Sequence, residues 1–469
     1  MIASSSTLFI RDAEINGRPG LDCRVAAGSV TEIGPNLEPA PHDTVLEGRG
    51  GALVPGLADH HIHLTALAAW RASADLTDVP PRELPSALRS AEPDAAGWVR
   101  AVGYDDVLHG DLDRTVLDAW LPATPLRVQH RSGALWILNS AALALTSAES
   151  SDHPGIEREP SGRASGRIWR ADGWLRDRVP GSPPHLRELG HELASYGITH
   201  VSDASPDPGG AGARLLAEAV REGDLPQHVA IMSPAVPRTS HPRLTAGPVK
   251  LIVPDHEPPD LDELTSGIRD AHATGRPVAV HCVTRQAVAL TLAALDEAGN
   301  RDGDRVEHCA VADLATARAL AERRIRVVTQ PTLLTRRGDS YRHRIDSADQ
   351  SDLWRYATLH RVGVLVAPSS DAPYGNPDPW AGIRAAAERR TPSGHVLGSG
   401  ERVPAALVLA GLHTELDDPG GVPRIVQVGA AADLTLLDRP LAVALRDCDS
   451  RCVAVTIVMG KPVYRRADR

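Results

Sequence analysis

A chain of 469 residues, 42% hydrophobic and 23% charged, has the make-up of an ordinary globular protein that is long enough for a large core and, as a crude prior, about three domains. Its formal charge of −10 and pI near 6.0 count against a nucleic-acid partner, because phosphate backbones are gripped by clustered Lys and Arg. No apolar run approaches the roughly 18 residues of a membrane span, and MIASSSTLFIRDAEING lacks a basic and long apolar leader pattern, so a cytoplasmic protein without a membrane partner is expected.

In chain order, residues 1 to about 52 read as short strands (TLFIRDAEI, DCRVAAGSVTEIG, TVLEG) broken by Gly, Asn and Pro, the pattern of hairpins in a small sheet. ALVPGLADHHIHL follows as a strand. A long stretch of about 65–195 comes next, and in it PLRVQH or WVRAVGY is expected to supply a second strand of the main sheet. Beyond it, GITHVSDA, PVKLIV, PVAVHC, DRVEHC, IRVVTQ and VGVLVAPSSDA alternate with helical text such as SGIRDAHATG, RQAVALTLAALDEAG and ADLATARALAERR. That alternation predicts βαβ units, an α/β class and a parallel sheet; eight strands fit a (β/α)8 barrel, of which seven are cleanly legible. The strand-like runs ADLTLLDRPLAVAL and VAVTIVMGKPVYR close the chain. The predicted domains are therefore a β-domain of residues 1–52 plus 415–469 and a barrel over 53–414, with the 65–195 segment inserted in it.

No P-loop, nucleophile elbow or repeat of 20–50 residues is present. The five cysteines Cys23, Cys282, Cys309, Cys448 and Cys452 are odd in number, scattered and without a C-x-x-C pair, so reduced packed thiols are expected; Cys282 and Cys309 are predicted to face the helix layer.

Chemistry is concentrated at strand ends. Side chains alternate along a strand, so His61 and His63 of D-H-H-I-H share a face and can grip one cation, while His60 faces away. An isolated H-x-H is weak in a chain with 20 histidines. Four further ligand-type residues, Lys250, His281, His308 and Asp371, each lie in or close an apolar strand, and barrel enzymes gather catalytic groups from the C-terminal ends of several strands. Each alone reads blandly, as a hydrogen-bonded histidine or a helix cap; the bland reading must hold at all of them together. Of 50 basic residues only Lys250 and Lys461 are lysine. An ammonium inside PVKLIV is costly to bury, and desolvation favours a neutral amine able to add carbon dioxide as a metal-bridging carbamate.

On these residues, VPGLADHHIHL followed by strand-end Lys, His, His and Ser-Asp, the chain resembles the amidohydrolase superfamily. GYDD (103–106), SGALWILNSAAL (132–143), SGRASGRIW (161–169), VEHC, TQP (329–331) and SSDAPYGNPDPWAGIRAAAERR resemble its N-substituted formamide deformylase-like branch. The resemblance implies a (β/α)8 barrel with a β-sandwich formed by both chain ends, and an inserted segment covering the pocket. It also implies two Zn2+-type ions, one on His61, His63 and Asp371 and one on His281 and His308, with carboxylated Lys250 between them. Departures are Ala134 after Gly133, where many relatives place a histidine, and Asp255-His256 in place of an Asp-Gly pair.

The expected reaction is hydrolysis of an amide-like C–N bond, linear or cyclic, in a small-molecule substrate, with Asp371 shuttling the proton. One alternative is a mononuclear deaminase of the same superfamily, which typically carries a Glu three residues after the fifth-strand histidine; here His281 leads to Cys282, Val283, Thr284 and Arg285. Another is a metal-free, non-catalytic scaffold. His130, Arg131, Trp136, Asn139, Arg285, Gln330, Tyr374 and Trp380 are candidate pocket residues, with exposed arginines and packing aromatics as the competing reading. A homodimer is possible for barrels of this kind.

Overall fold

The computed structural model describes residues 7–179, 184–207, 209–237, 240–254 and 258–467; the Asp255-His256 departure lies outside them. The chain divides into two compact units, Met1–Leu64 with Leu186–Arg469, and Thr65–His185.

Besides the short parallel strand Leu244–Ala246, the described residues of the first unit hold eight strands that follow one another in parallel: β1 (Leu57–Ile62), β2 (Ile198–Asp203), β3 (His228–Ile231), β4 (Val249–Ile252), β5 (Val278–Cys282), β6 (Arg305–His308), β7 (Arg326–Thr329) and β8 (Val366–Pro368). They form two parallel sheets, one in the order β3-β2-β1 with Leu244–Ala246 outside β3, the other running β4 to β8 in sequence. Backbone bonds bridge the sheets at both seams: Lys250 N–H donates to Met232 O at 2.9 Å, and Asp371 N–H to His61 O at 2.8 Å. β6 and β7 are buried along their whole length, the mark of parallel strands covered on both faces. Helices Leu261–Ala273, Arg285–Ala298 and Leu314–Glu322 start just after a strand. Each is capped by a side chain, Asp260, Thr284 or Asp313, that accepts from the N–H of Glu263, Ala287 or Thr316. Such caps hold orphan N–H groups at about 1 kcal/mol each. These helices bury one stripe, Leu264, Ile268 and Ala271 in the first and Val288, Leu292 and Leu295 in the second.

Both chain ends enter one further sheet of eight strands. Thr7–Ile15 pairs antiparallel with Arg18–Ala26 and parallel with Asp43–Glu47 and Ala52–Pro55. Ala52–Pro55 then pairs with Leu434–Leu437, which continues to Val453–Val458 and Lys461–Arg465. Leu8, Ile10, Cys23, Leu53, Leu436 and Ile457 lie in its core.

The second unit is built on a six-stranded sheet in the order Ile156–Arg158, Ala164–Trp169, Leu135–Leu138, Leu126–His130, Val99–Tyr104, Ala74–Asp75. One apolar cluster gathers Leu84, Val99, Leu117 and Ile137; another gathers Trp98, Trp136, Leu143 and Ile168.

Three expectations need correction. ALVPGLADHHIHL is two strands, since the chain leaves the terminal sheet at Pro55 and starts β1 at Leu57. Gly56 makes that crossing because any Cβ there would fall 2.2 Å from the Thr199 side chain. WVRAVGY and PLRVQH are both strands, but they pair with each other in the second unit; β1 takes GITHVSDA as its partner. The strand missed in the sequence is His228–Ile231. The inserted unit also ends at His185 rather than 195, because helix Leu186–Ser195 buries Leu189 and Leu193 within the first unit.

No helix among the described residues is long and apolar enough to cross a membrane. All five cysteines are free and buried, and Cys282 Sγ lies 3.2 Å from Thr291 Oγ1 of the following helix, as the strand parity predicts.

Candidate metal centre

β1 carries His61 near its end and His63 just beyond it, and alternation aims both to one side. His60 turns the other way, its Nε2 3.0 Å from Thr414 Oγ1. Asp371 follows β8 through Ser369 and Ser370, and its Oδ1 lies 3.4 Å from His61 Nε2 and 3.2 Å from His63 Nε2. One ligand atom from each of these three residues falls within 4.8 Å of the others. Lys250 of β4 brings Nζ to 3.5 Å from the same His61 Nε2. His281 of β5 stands edge to face against His308 with ring centroids 4.4 Å apart, and His308 is 4.9 Å from His61. All six residues singled out in the sequence thus converge on one buried cluster.

Two of them are held in the left-handed backbone region, His308 at φ 69° and Asp371 at φ 53°. A non-glycine residue held there costs on the order of 1–3 kcal/mol, and such strain collects at functional sites. At His308 it also breaks the strand's alternation. Glu307 and His308 are adjacent, and strict parity would send one of them away from His61; both reach it.

Burial sets the protonation states. It pushes His281 down to about 3, helped by Lys250, and holds His308 well below the ordinary histidine value. It also lowers Lys250, against the pull of Glu307 and Asp371. Asp371 resists the same burial because the imidazoles of His61 and His63 stand against it, which keeps its carboxyl well below the usual carboxylate range. His61 is the exception: burial and Lys250 oppose its charging, yet Glu307 and Asp371 outweigh them and raise it. The cluster therefore calls for positive charge where His61 Nε2, His63 Nε2 and Asp371 Oδ1 meet. Imidazole nitrogens beside a retained carboxylate are the donors a zinc-type cation takes, so the residues fit such an ion.

Glu307 escaped the sequence reading. It is fully buried, accepts from His61 Nδ1–H, and receives Arg305 Nε at 2.6 Å; Arg305 also donates to His60 O at 3.0 Å. Burial opposes its charge, but Arg305 and His61 prevail and its carboxyl stays well below the usual range. The available signal was the charged pair Arg305 and Glu307, two apart in an apolar strand, each needing a buried partner.

The predicted substrate residues are dispersed. His130, Arg131, Trp136 and Asn139 belong to the second unit. There His130 lies 3.1 Å from Asp106 and 2.8 Å from Ser132, and Arg131 pairs with Asp105. Trp136 is buried with its indole N–H on Asp172 at 2.8 Å and Arg100 over its ring. Asn139 caps helix Ser140–Thr146 and spends both amide hydrogens on Leu121 O and Thr124 O, while its oxygen accepts from Leu126 and Ala142. It is a structural cap with no hydrogen-bonding capacity left for a ligand. Arg285 is held by Asp313, Asp349 and Asp352, and Trp380 is a core residue bonded to Tyr196 O. Gln330 sits behind His308, accepting from its Nδ1–H at 2.7 Å. Of this group Tyr374 borders the cluster, its ring 5.7 Å from that of His63.

Among the described residues two other groups bring ligand atoms together, His200 with His228 and Asp433, and Asp105 with Asp106 and His130. The first does not suit an ion. The imidazoles of His200 and His228 are stacked within 8° of parallel at 4.5 Å, and in-plane lone pairs of parallel rings cannot converge on one point. Arg424 donates to His200 Nδ1 at 3.1 Å, which leaves the proton on Nε2, the atom a metal would need. In the second, His130 is engaged by Ser132 and Asp106, and Asp105 by Arg131.

Arg424 also faces His413, which burial pushes from 6.5 down to about 3. A buried histidine held neutral binds no proton in the fold but one in the unfolded chain, so its stabilising contribution is complete above about pH 6.5 and is lost as pH falls toward about 3. Lowering the pH from about 6.5 to about 4.5 is expected to cost about 2–3 kcal/mol through His413 alone. Urea midpoints at the two values should show His413→Gln losing less stability than the parent by that amount; an equal loss in both removes His413 from the account.

A model of the amidohydrolase family matches residues 45–464. An N-substituted formamide deformylase from Arthrobacter pascens is 26% identical, over 94% of this chain and 94% of its own. Among solved structures, an uncharacterized metal-dependent hydrolase from Pyrococcus horikoshii superposes with a TM-score of 0.75 at 18% identity, covering 98% of this chain and all of that one. Another from Pyrococcus furiosus gives 0.71 at 20% identity over 92% and 99%.

Proposed function

Because the chain belongs to the amidohydrolase family and is a metal-dependent hydrolase of C–N bonds, we propose that its cluster is a binuclear centre cleaving an amide-like bond, linear or cyclic, in a small molecule. In this reading the two parallel sheets are arcs of one (β/α)8 barrel, and the cluster lies at the C-terminal ends of its strands. His61, His63 and Asp371 hold one divalent cation of zinc type, and His281 and His308 hold the other. The deformylase among its relatives makes N-substituted formamides the first substrates to try.

Lys250 joins the two halves. Its neutral amine forms an N–C bond to carbon dioxide and releases one proton, leaving a carbamate whose two oxygens replace a costly ammonium with an anion facing cations. Divalent ions bound here would lower the pKa of a water toward neutrality and polarise the scissile carbonyl. Asp371 then holds the proton taken from the attacking water and delivers it to the departing nitrogen, which its position against His61 and His63 and its retained ionisation suit it to do.

The observation that carries this reading is the convergence of His61, His63, Lys250, His281, His308 and Asp371, drawn from four stretches of strand and the turn after β8, on one cluster. A deaminase is disfavoured by the residues after His281: Cys282 packs on the next helix, and the position three residues on, where that class keeps a carboxylate, is Thr284, whose hydroxyl caps helix Arg285–Ala298 by accepting from Ala287 N–H.

Elemental analysis of the purified protein is expected to return about two divalent equivalents per chain. Chelation should abolish formate or acid release from formamides, acyl amines, cyclic imides and lactams, and zinc should restore it. A folded, metal-free protein indifferent to chelators would instead be the scaffold; ammonia released from aminated heterocycles, with amides untouched, would make it the deaminase.

A further inference from the structure

His61 and His308 are each gripped from behind, and the two grips differ in charge. At His61 the partner is the Glu307 carboxylate, which can only accept; Nδ1 therefore carries the proton, and Nε2 presents its lone pair to the space shared with Asp371 and Lys250. At His308 the partner is the Gln330 amide. Its NH2 group donates to Val328 O at 3.3 Å and Ser369 Oγ at 2.9 Å, which fixes the orientation of the amide and leaves Oε1 to accept from Nδ1 at 2.7 Å. Both imidazoles are thus locked in the tautomer with Nε2 free.

An anion behind an imidazole makes its far nitrogen a stronger donor than a neutral amide does. Arg305 holds Glu307 in place through Nε at 2.6 Å, within a shell where Glu307 and Arg305 are both almost wholly buried, so the charge reaches His61 with little screening by solvent. Among the described residues the other hydrogen-bond partners of Gln330 are a carbonyl and a hydroxyl, both uncharged.

We propose that Glu307 and Gln330 are positioning residues that make the two halves of the centre unequal, so that the half built on His61, His63 and Asp371 takes its divalent ion first and the half built on His281 and His308 second. This rests on the binuclear reading above. It assigns Glu307 a role in metal affinity distinct from that of the ligands, and removes Gln330 from the substrate pocket.

The test is a titration of the full-length protein, stripped by chelator, with Co2+ followed by absorbance and competed with a chelating dye to give stepwise constants. The parent should load in two separate steps. Glu307→Gln should weaken the first step by about 10- to 100-fold and leave the second within about threefold. Gln330→Leu should weaken the second by a similar factor and leave the first. Equal weakening of both steps by either variant, or no change in the step assigned to it, overturns the proposal. Should Glu307→Gln not fold, the second-step constant of Gln330→Leu decides alone. A parent that binds no Co2+ at all fails the binuclear reading itself, an outcome distinct from a parent that binds two ions of equal affinity, which fails only this inference.

Discussion

Asp371→Asn is expected to lower kcat by about 10²- to 10⁴-fold, the range of a general acid–base group, with a smaller change in KM. In the proposed mechanism the carboxylate has two tasks, closing one half of the centre with His61 and His63 and carrying the proton between water and leaving nitrogen, and Asn can do neither as an anion. The variant should fold, since Asn is close to isosteric and the backbone bond from residue 371 N–H to His61 O remains. At φ 53° Asn is also among the few residues that tolerate the left-handed region. Steady-state kinetics on the best substrate, beside the metal content and melting temperature of the same preparation, separate the roles. A variant that keeps its metal and folds but retains full kcat would show that the proton is moved by another group.

Lys250→Ala should cost several kcal/mol of transition-state stabilisation, a fall of about 10² to 10³ in kcat/KM, because the proposed bridging anion is lost while its neighbours stay in place. The physical ground is the burial of Lys250 with Nζ 3.5 Å from a metal-facing imidazole nitrogen, a poor place for an ammonium and a good one for a carbamate. Truncation opens a space beside His61 that a small carboxylate fits, so acetate or propionate should restore part of the activity in a saturable manner. Lys250→Arg should be as inactive as Ala and show no rescue, because a guanidinium remains charged and forms no carbamate. Activity of Lys250→Ala near that of the parent would leave the lysine a mere structural residue.

Much of this was legible without coordinates. Apolar runs of four to six residues and amphipathic stretches between them report local burial, which is why seven of the eight parallel strands, the β character of both chain ends and the parity of His61, His63 and His60 follow from the text of the chain. Ligand-type residues at strand ends were legible for the same reason: an imidazole or an ammonium in Val, Leu and Ile is a local anomaly. The substrate residues were not. Asn139 and Arg285 carry the right chemistry, but their hydrogen bonds are committed to helix caps and aspartates that composition does not reveal.

What the chain by itself determined, then, is which residues must be inside and which of them are chemically out of place there, because alternation and hydrophobicity act within a few residues. The tertiary structure alone decided who meets whom: that PLRVQH and WVRAVGY belong to another sheet, that Glu307 reaches across 246 positions to His61, and that a left-handed turn at His308 lets two adjacent residues serve one centre. Such pairings depend on the packing of whole elements against one another, and no window of sequence short enough to show a period contains both partners.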